Sequence, residues 1–259
     1  MSKDLYGRGY SDAVSDLPYD ARLYSAQILT VITSSKLSWT GSEKFDLVGY
    51  SLGGGISTAF ASYHPDLVRS LILLAPSGLL RPKHMSSRSK ILYSTGIIPE
   101  CLLLWLCKRR LLAGPMYAKE NKEVGLALIA SAEEGAPDEE AAFIPLSRAR
   151  PDITVQQAVQ WQLRNHDGFV LSFLSSIRYA PITEQQAHWE RLRKVTGDKI
   201  LLLAGRDDPI VFPNEVREDA EALLGKERIV YREIDSTHDF PVTESKDVVK
   251  AIVEFWEHR

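Results

Sequence analysis

Apolar residues recur along this chain in two rhythms. Between Asp20 and Leu37, Tyr24, Ile28, Val31 and Ile32 stand at offsets 0, 4, 7 and 8, one face of a 3.6-residue period, which predicts a helix. Pro213 opens a second helix with Val216, Ala220, Leu223 and Leu224 on one face and Gly225 as its stop. A third runs from Glu244 to Arg259, with Val248, Ile252, Phe255 and Trp256 predicted to face inward. The other rhythm is the short continuous apolar run, as in Ser70–Ala75, within Leu67–Ala75, and Lys199–Gly205. Runs of that length suit strands buried on both faces. Phe45–Tyr50 and Arg228–Ile234 read as two more strands, and a small-residue run, Ile56–Ser62, follows the first of them. Strands alternating with helices predict an α/β fold with a mostly parallel sheet and right-handed crossovers.

Residues 80–196 break that alternation. They are largely helical in pattern, begin at Pro82-Lys83-His84, and return to the sheet near Val195-Thr196-Gly197. The expected division is therefore an α/β core of residues 1–79 and 197–259 with a helical lid or cap of residues 80–196. An acidic run within the cap, Ala132–Glu140, reads as a solvated loop.

Composition narrows the function classes. Hydrophobic residues at 44% and charged residues at 25% of 259 describe an ordinary globular chain, long enough to need no disulfide or metal staple. Thirty-one Lys and Arg against 34 Asp and Glu leave a net charge of −3, which argues against a nucleic-acid partner. The two cysteines, Cys101 and Cys107, have neither metal-ligand nor redox spacing and read as reduced thiols of a cytoplasmic protein. Met1–Tyr10 holds no apolar signal segment, and no run reaches the ~18–20 apolar residues of a membrane span. The nearest run, Ile97–Cys107, is broken by Pro99 and Glu100 and followed by Lys108-Arg109-Arg110. It fits a buried or lid helix, with weak contact of the lid with a membrane surface as the alternative.

The chemistry concentrates in Gly49-Tyr50-Ser51-Leu52-Gly53, a G-x-S-x-G sequence between a predicted strand and a predicted helix. So sharp a reversal strains the serine backbone, demands small neighbours, and raises the hydroxyl above the sheet edge. A nucleophilic serine needs a base, and the base needs an orienting carboxylate. Of six histidines, His64, His84, His166, His188 and His258 read as surface or structural. His238 stands in Asp235–Pro241, just after the last strand, at the carboxyl edge where open α/β sheets assemble their sites. The acid comes from Gly205-Arg206-Asp207-Asp208-Pro209, where two adjacent aspartates compete.

In these segments the sequence resembles the α/β-hydrolase superfamily, in its serine-nucleophile, lid-bearing branch of esterases, lipases and related hydrolases. The resemblance covers nearly the whole chain. It rests on Asp4–Asp12, Gly49–Gly54, Leu71–Pro76, Gly205–Val211 and His238–Pro241. It selects Asp208 over Asp207, because the acid in such families stands three residues after the glycine and before a Pro-Ile/Val pair. It implies Ser51, Asp208 and His238 as the catalytic residues, the Leu52 backbone N–H as one oxyanion donor, and no metal or organic cofactor. A serine at the elbow disfavours dehalogenase and epoxide hydrolase chemistry, which uses aspartate there.

The implied substrate is a small apolar ester, thioester or amide, cleaved through an acyl-enzyme, within a biosynthetic pathway in one variant. Carbon–carbon bond hydrolysis belongs among the same chemistries. Leu102–Leu106 and Gly168–Leu174 would line a tunnel from the lid or form the lid's own core. The front of the chain departs from the pattern. The strands that such proteins carry before the Asp4 segment, and the His-Gly loop that gives the second oxyanion donor, do not occur here. The expectation is an N-terminally truncated form, with either residues 1–9 pairing out of place or the 45–50 strand left as an edge. A catalytically impaired binding or regulatory relative is the competing reading.

Overall fold

The computed structural model describes residues 4–37, 39, 43–84, 96, 98–120, 143–147, 149–195 and 199–258. In chain order its elements are α1 (Ala21–Ser34), β1 (Phe45–Tyr50), α2 (Leu52–Tyr63), β2 (Val68–Leu74), α3 (Glu100–Glu120), β3 (Pro145–Ser147) and β4 (Arg150–Thr154). There follow α4 (Val155–Asn165), α5 (Phe169–Tyr179), α6 (Gln186–Val195), β5 (Ile200–Gly205), α7 (Pro213–Leu224), β6 (Ile229–Ile234), α8 (Phe240–Thr243) and α9 (Ser245–Glu257). The acidic run Ala132–Glu140 lies outside the described residues, as do Thr196 and Gly197. The chain divides into two compact units, residues 25–82 with 181–259 and residues 1–24 with 83–180.

The first unit is an α/β layer. Its four strands run parallel in the order β1-β2-β5-β6, with Gly49 beside Leu73, Leu73 beside Leu202, and Leu202 beside Tyr231. All six residues of β5 are buried, as a continuous apolar run at the centre of a sheet requires. Helix α2 packs on β1 and β2, α7 and α9 pack on β5 and β6, and α6 packs on both α2 and α7. Helix α6 lies within residues 80–196, yet its Trp189 and Leu192 join this core with Leu71, Leu201, Ala220 and Phe255. The chain passages at 78–80 and 182–185 are strapped together. Gly78 N–H donates to the Ile182 carbonyl at 2.7 Å, Gln185 N–H donates to the Gly78 carbonyl at 2.9 Å, and Leu80 bridges Thr183.

Of the two arrangements expected at the front of the chain, the described residues show the second: residues 4–12 form turns, with Gly7 and Gly9 at φ 71° and 56°, and β1 is an edge of the described sheet. One expectation needs correcting. Trp256 does not face inward: it is 42% exposed, while Ala251 joins Val248 and Phe255 in the core. At ~100° per residue, Trp256 is rotated off the face centred on Phe255. Its indole lies along the flank, and Nε1–H donates to Ser70 Oγ at 3.2 Å.

The second unit is mainly helical. Leu103, Cys107 and Leu111 of α3, Leu163 of α4, and Phe169, Val170, Phe173 and Leu174 of α5 form one buried cluster. Leu103 and Leu104 of the first apolar run and Phe169, Val170, Phe173 and Leu174 of the second thus belong to this unit's core, with Leu102 and Trp105 exposed. Helix α4 starts on a capping box, in which Thr154 Oγ1 accepts from Gln157 N–H and the Gln157 side chain accepts from Thr154 N–H. Before it stands an antiparallel hairpin, β3 with β4, in a stretch that reads as helical from sequence. With only three and five residues, neither strand is long enough to display a period. The N-terminal turns belong to this unit: Arg8 stacks over Phe169 and Phe173 and donates to Ser172 Oγ at 2.5 Å. Among the described residues no helix is long and apolar enough to cross a membrane.

Candidate active site

The site is built at the carboxyl ends of the parallel strands of the α/β unit. Strand β1 ends at Tyr50 and α2 begins at Leu52, which leaves Ser51 alone to make the reversal. It does so at φ 51° and ψ −119°, outside the regions open to most L-residues, at a cost of about 1–3 kcal/mol. The backbone around it is fully engaged. Ser51 N–H donates to the Leu74 carbonyl at 2.9 Å, and the Ser51 carbonyl accepts from Gly54 N–H and Ser77 N–H, each at 2.9 Å.

The flanking glycines are not equivalent. A β-carbon at Gly49 would overlap the Gly53 carbonyl and Ser57 Oγ, and one at Gly54 would stand 2.6 Å from the Pro76 ring. A β-carbon at Gly53 would meet nothing within 4 Å.

His238 sits in the loop between β6 and α8. Its Nε2 lies 2.9 Å from Ser51 Oγ and its Nδ1 lies 2.7 Å from Asp208 Oδ2. Asp208 is fixed in turn through its other oxygen, Oδ1, which accepts from Ile210 N–H and Val211 N–H, both at 2.8 Å. All three residues are buried, at 4–5% exposure. An acceptor-only carboxylate on Nδ1 fixes the tautomer with the proton at Nδ1, leaving Nε2 to accept from the serine hydroxyl. The loops close because Gly205 has no side chain: a β-carbon there would overlap the Thr237 carbonyl. Asp207, the competing aspartate, is exposed.

The remaining histidines are placed elsewhere. His64 caps α2 with its ring beside Phe60, and His84 lies in the turn Pro82–His84. His166 Nε2 bonds the Ser11 carbonyl at 2.9 Å, and His258 Nδ1 bonds the Glu254 carbonyl at 2.8 Å. His188 Nδ1 donates to Ser62 Oγ at 2.9 Å, since that hydroxyl gives its own proton to the Ala59 carbonyl. Burial, with Arg191 nearby, lowers the His188 pKa from its ordinary 6.5. Leu52 N–H opens the twelve-residue helix α2, where unpaired N–H groups and the helix dipole favour negative charge.

Two residues at this site escape the sequence reading. Tyr50 donates its hydroxyl to Asp239 Oδ1 at 2.9 Å and to the His238 carbonyl at 3.2 Å, and its ring centroid is 5.2 Å from the His238 imidazole. Each is the sequence neighbour of a motif residue, which is the one signal that singles them out. Among the described residues no group of three or more His, Cys, Asp or Glu is placed to hold a metal ion.

Comparison with known proteins bears on the fold and on the front of the chain. A family profile described as the alpha/beta hydrolase fold matches residues 4–93. Over 82 residues the chain is 34% identical to a 2-hydroxymuconate semialdehyde hydrolase of Pseudomonas sp. (strain CF600), which covers 32% of this chain and 27% of that protein. The match thus spans about a quarter of the curated relative. Among solved structures, a meta-cleavage product hydrolase from Pseudomonas fluorescens IP01 superposes with a TM-score of 0.58 at 16% identity, covering 98% of this chain and 78% of that one. An esterase from Exiguobacterium antarcticum superposes with a TM-score of 0.57 at 18% identity, covering 96% and 78%.

Proposed function

The chain has the α/β-hydrolase fold, and on that premise we propose that it is a serine hydrolase working through Ser51, His238 and Asp208. The observation that carries the reading is the continuous relay from Ser51 Oγ to His238 Nε2, and from His238 Nδ1 to Asp208 Oδ2. In the proposed reaction His238 takes the Ser51 proton as Oγ attacks an acyl carbonyl. The tetrahedral oxyanion faces Leu52 N–H, and Asp208 stabilises the imidazolium. The imidazolium then protonates the leaving group. Water, deprotonated by His238, splits the acyl-enzyme and returns Ser51 to its starting state.

The proposed substrate is a small apolar ester, thioester or amide. Residues 80–196 enter the proposal as the lid or cap that the resemblance makes them. Free thiols at Cys101 and Cys107 support a cytoplasmic setting.

Carbon–carbon bond hydrolysis is the second reading, favoured by the 34% match to the 2-hydroxymuconate semialdehyde hydrolase. Both readings use the same three residues, so one set of variants tests them. A fluorophosphonate probe is expected to label the folded chain at Ser51, with labelling abolished in Ser51→Ala. Turnover of p-nitrophenyl acetate is expected to fall by a factor on the order of 10³ or more in Ser51→Ala or His238→Ala. Faster consumption of 2-hydroxymuconate semialdehyde than of any ester tried would select the second reading. A folded chain that neither labels nor turns over would overturn both and leave a binding relative.

A further inference from the structure

Resting on that reading, we propose that Tyr50 is a positioning residue for His238, acting through a hydroxyl latch to Asp239 and through its ring. The residue before the nucleophile closes β1, so its backbone is set by the sheet: Tyr50 pairs with Leu74 in the last register of β1 with β2. From that fixed point its side chain reaches the loop that carries the base. The hydroxyl donates to Asp239 Oδ1 at 2.9 Å and to the His238 carbonyl at 3.2 Å, so it holds the histidine's own backbone and the next side chain together. The ring lies 5.2 Å from the imidazole, centroid to centroid, with the planes 36° apart.

Further ties among the described residues hold this loop at its other end. Asp207 N–H donates to the Ser236 carbonyl at 3.1 Å, Ser236 Oγ bonds Thr243 Oγ1 at 2.9 Å, and Gly205 lies against Thr237. They fix the loop to β5, α8 and itself. Tyr50 ties it to the strand that delivers Ser51. The Ser51 Oγ to His238 Nε2 separation is thus set across one residue on the nucleophile side and one on the base side.

The chemistry of the latch suits that task. A phenol donating to a carboxylate makes a charge-assisted bond, stronger and more directional than one between neutral groups. The Tyr50 ring, packed 5.2 Å from the imidazole, also limits how the His238 ring can turn. Both effects act on the placement of the base and neither contacts substrate. The predicted signature is a loss in kcat with KM held.

The test compares Tyr50→Phe, Asp239→Ala, their double variant and Asp239→Asn, each confirmed folded by its unfolding midpoint. Each single removal is expected to lower kcat for p-nitrophenyl acetate and the fluorophosphonate labelling rate roughly tenfold, with KM within about twofold. The double variant is expected to be no slower than the slower single variant, because both substitutions break the same bond. Asp239→Asn, which keeps an acceptor oxygen, is expected to recover most of the rate lost in Asp239→Ala.

A second readout needs no turnover. The ¹H–¹⁵N signals of the His238 imidazole are expected to shift in Tyr50→Phe and to stay in place in Tyr63→Phe. Full activity in Tyr50→Phe, additive losses in the double variant, or unmoved imidazole signals would overturn the latch. A wild-type chain that never labels, yet shows the imidazole shift in Tyr50→Phe, would overturn the hydrolase reading while leaving the latch standing.

Discussion

Gly49 and Gly53 look alike in the sequence, since both belong to the same five-residue motif. Sterically they differ. Space at Gly49 is taken by the Gly53 carbonyl and Ser57 Oγ, whereas Gly53 opens on free volume. Gly49→Ala is therefore expected to destabilise the chain by about 1–3 kcal/mol through overpacking. Gly53→Ala, in the first turn of α2, is expected to be neutral or to stabilise by up to about 1 kcal/mol. Urea midpoints of the two variants check the contrast, and equal losses would mean the close approach at Gly49 is misread. The aspartate pair teaches the same lesson. Nothing local distinguishes Asp207 from Asp208, so from residues alone the acid is open and only the resemblance selects one. What separates them is the turn through Pro209, which folds Ile210 N–H and Val211 N–H back onto Asp208 Oδ1. Motif residues were legible because strand–turn–helix geometry limits which side chains fit. Tyr50 and Asp239 were not, because their meeting depends on the loop between β6 and α8 closing over the end of β1.

Periodicity made the long elements readable. Helices α7 and α9 lie where the apolar spacing places them, and the strands β2 and β5 where continuous apolar runs of strand length stand. Short elements left no such trace, as the hairpin of β3 and β4 shows. Helix α3 displays the point on two chemically identical side chains. Cys107 is buried in the helical cluster and Cys101, on the same helix, is exposed. Burial pushes the Cys107 thiol up to about 11, so at neutral pH it is protonated as well as inaccessible. Iodoacetamide at pH 8 is expected to alkylate Cys101 in the native chain and to reach Cys107 only in denaturant, read by mass spectrometry of the peptides. Rapid native alkylation of Cys107 would contradict the packing of α3 on α4 and α5.

At the scale of the molecule, the α/β unit is assembled from segments far apart in the chain, and one titrating group sits where they meet. Helix α6, from the second segment, brings His188 onto Ser62 of α2, with Tyr63 edge-on to its ring and Arg191 over the Tyr63 face. Burial and Arg191 depress the His188 pKa in the folded state, so the unfolded chain takes up this proton first. The contribution is complete above the ordinary 6.5 and is lost as pH falls through the depressed folded value. His188→Gln is expected to show a smaller drop in melting temperature between pH 7.5 and 5 than the wild type, measured by calorimetry. An unchanged drop would place the acid sensitivity in other groups.

The relay has a history in time as well as a geometry. Ser51 and His238 are 187 positions apart, and at ribosomal speeds of 5–20 residues per second that interval is roughly 10–40 s. Throughout it the elbow strand and α2 can fold on local contacts, but the hydroxyl has neither base nor carboxylate beside it. On the proposed reading a growing chain therefore carries no armed nucleophile. Labelling by a fluorophosphonate is then expected only once the last strand and loop dock, so its acquisition would report completion of the α/β unit rather than synthesis of the serine.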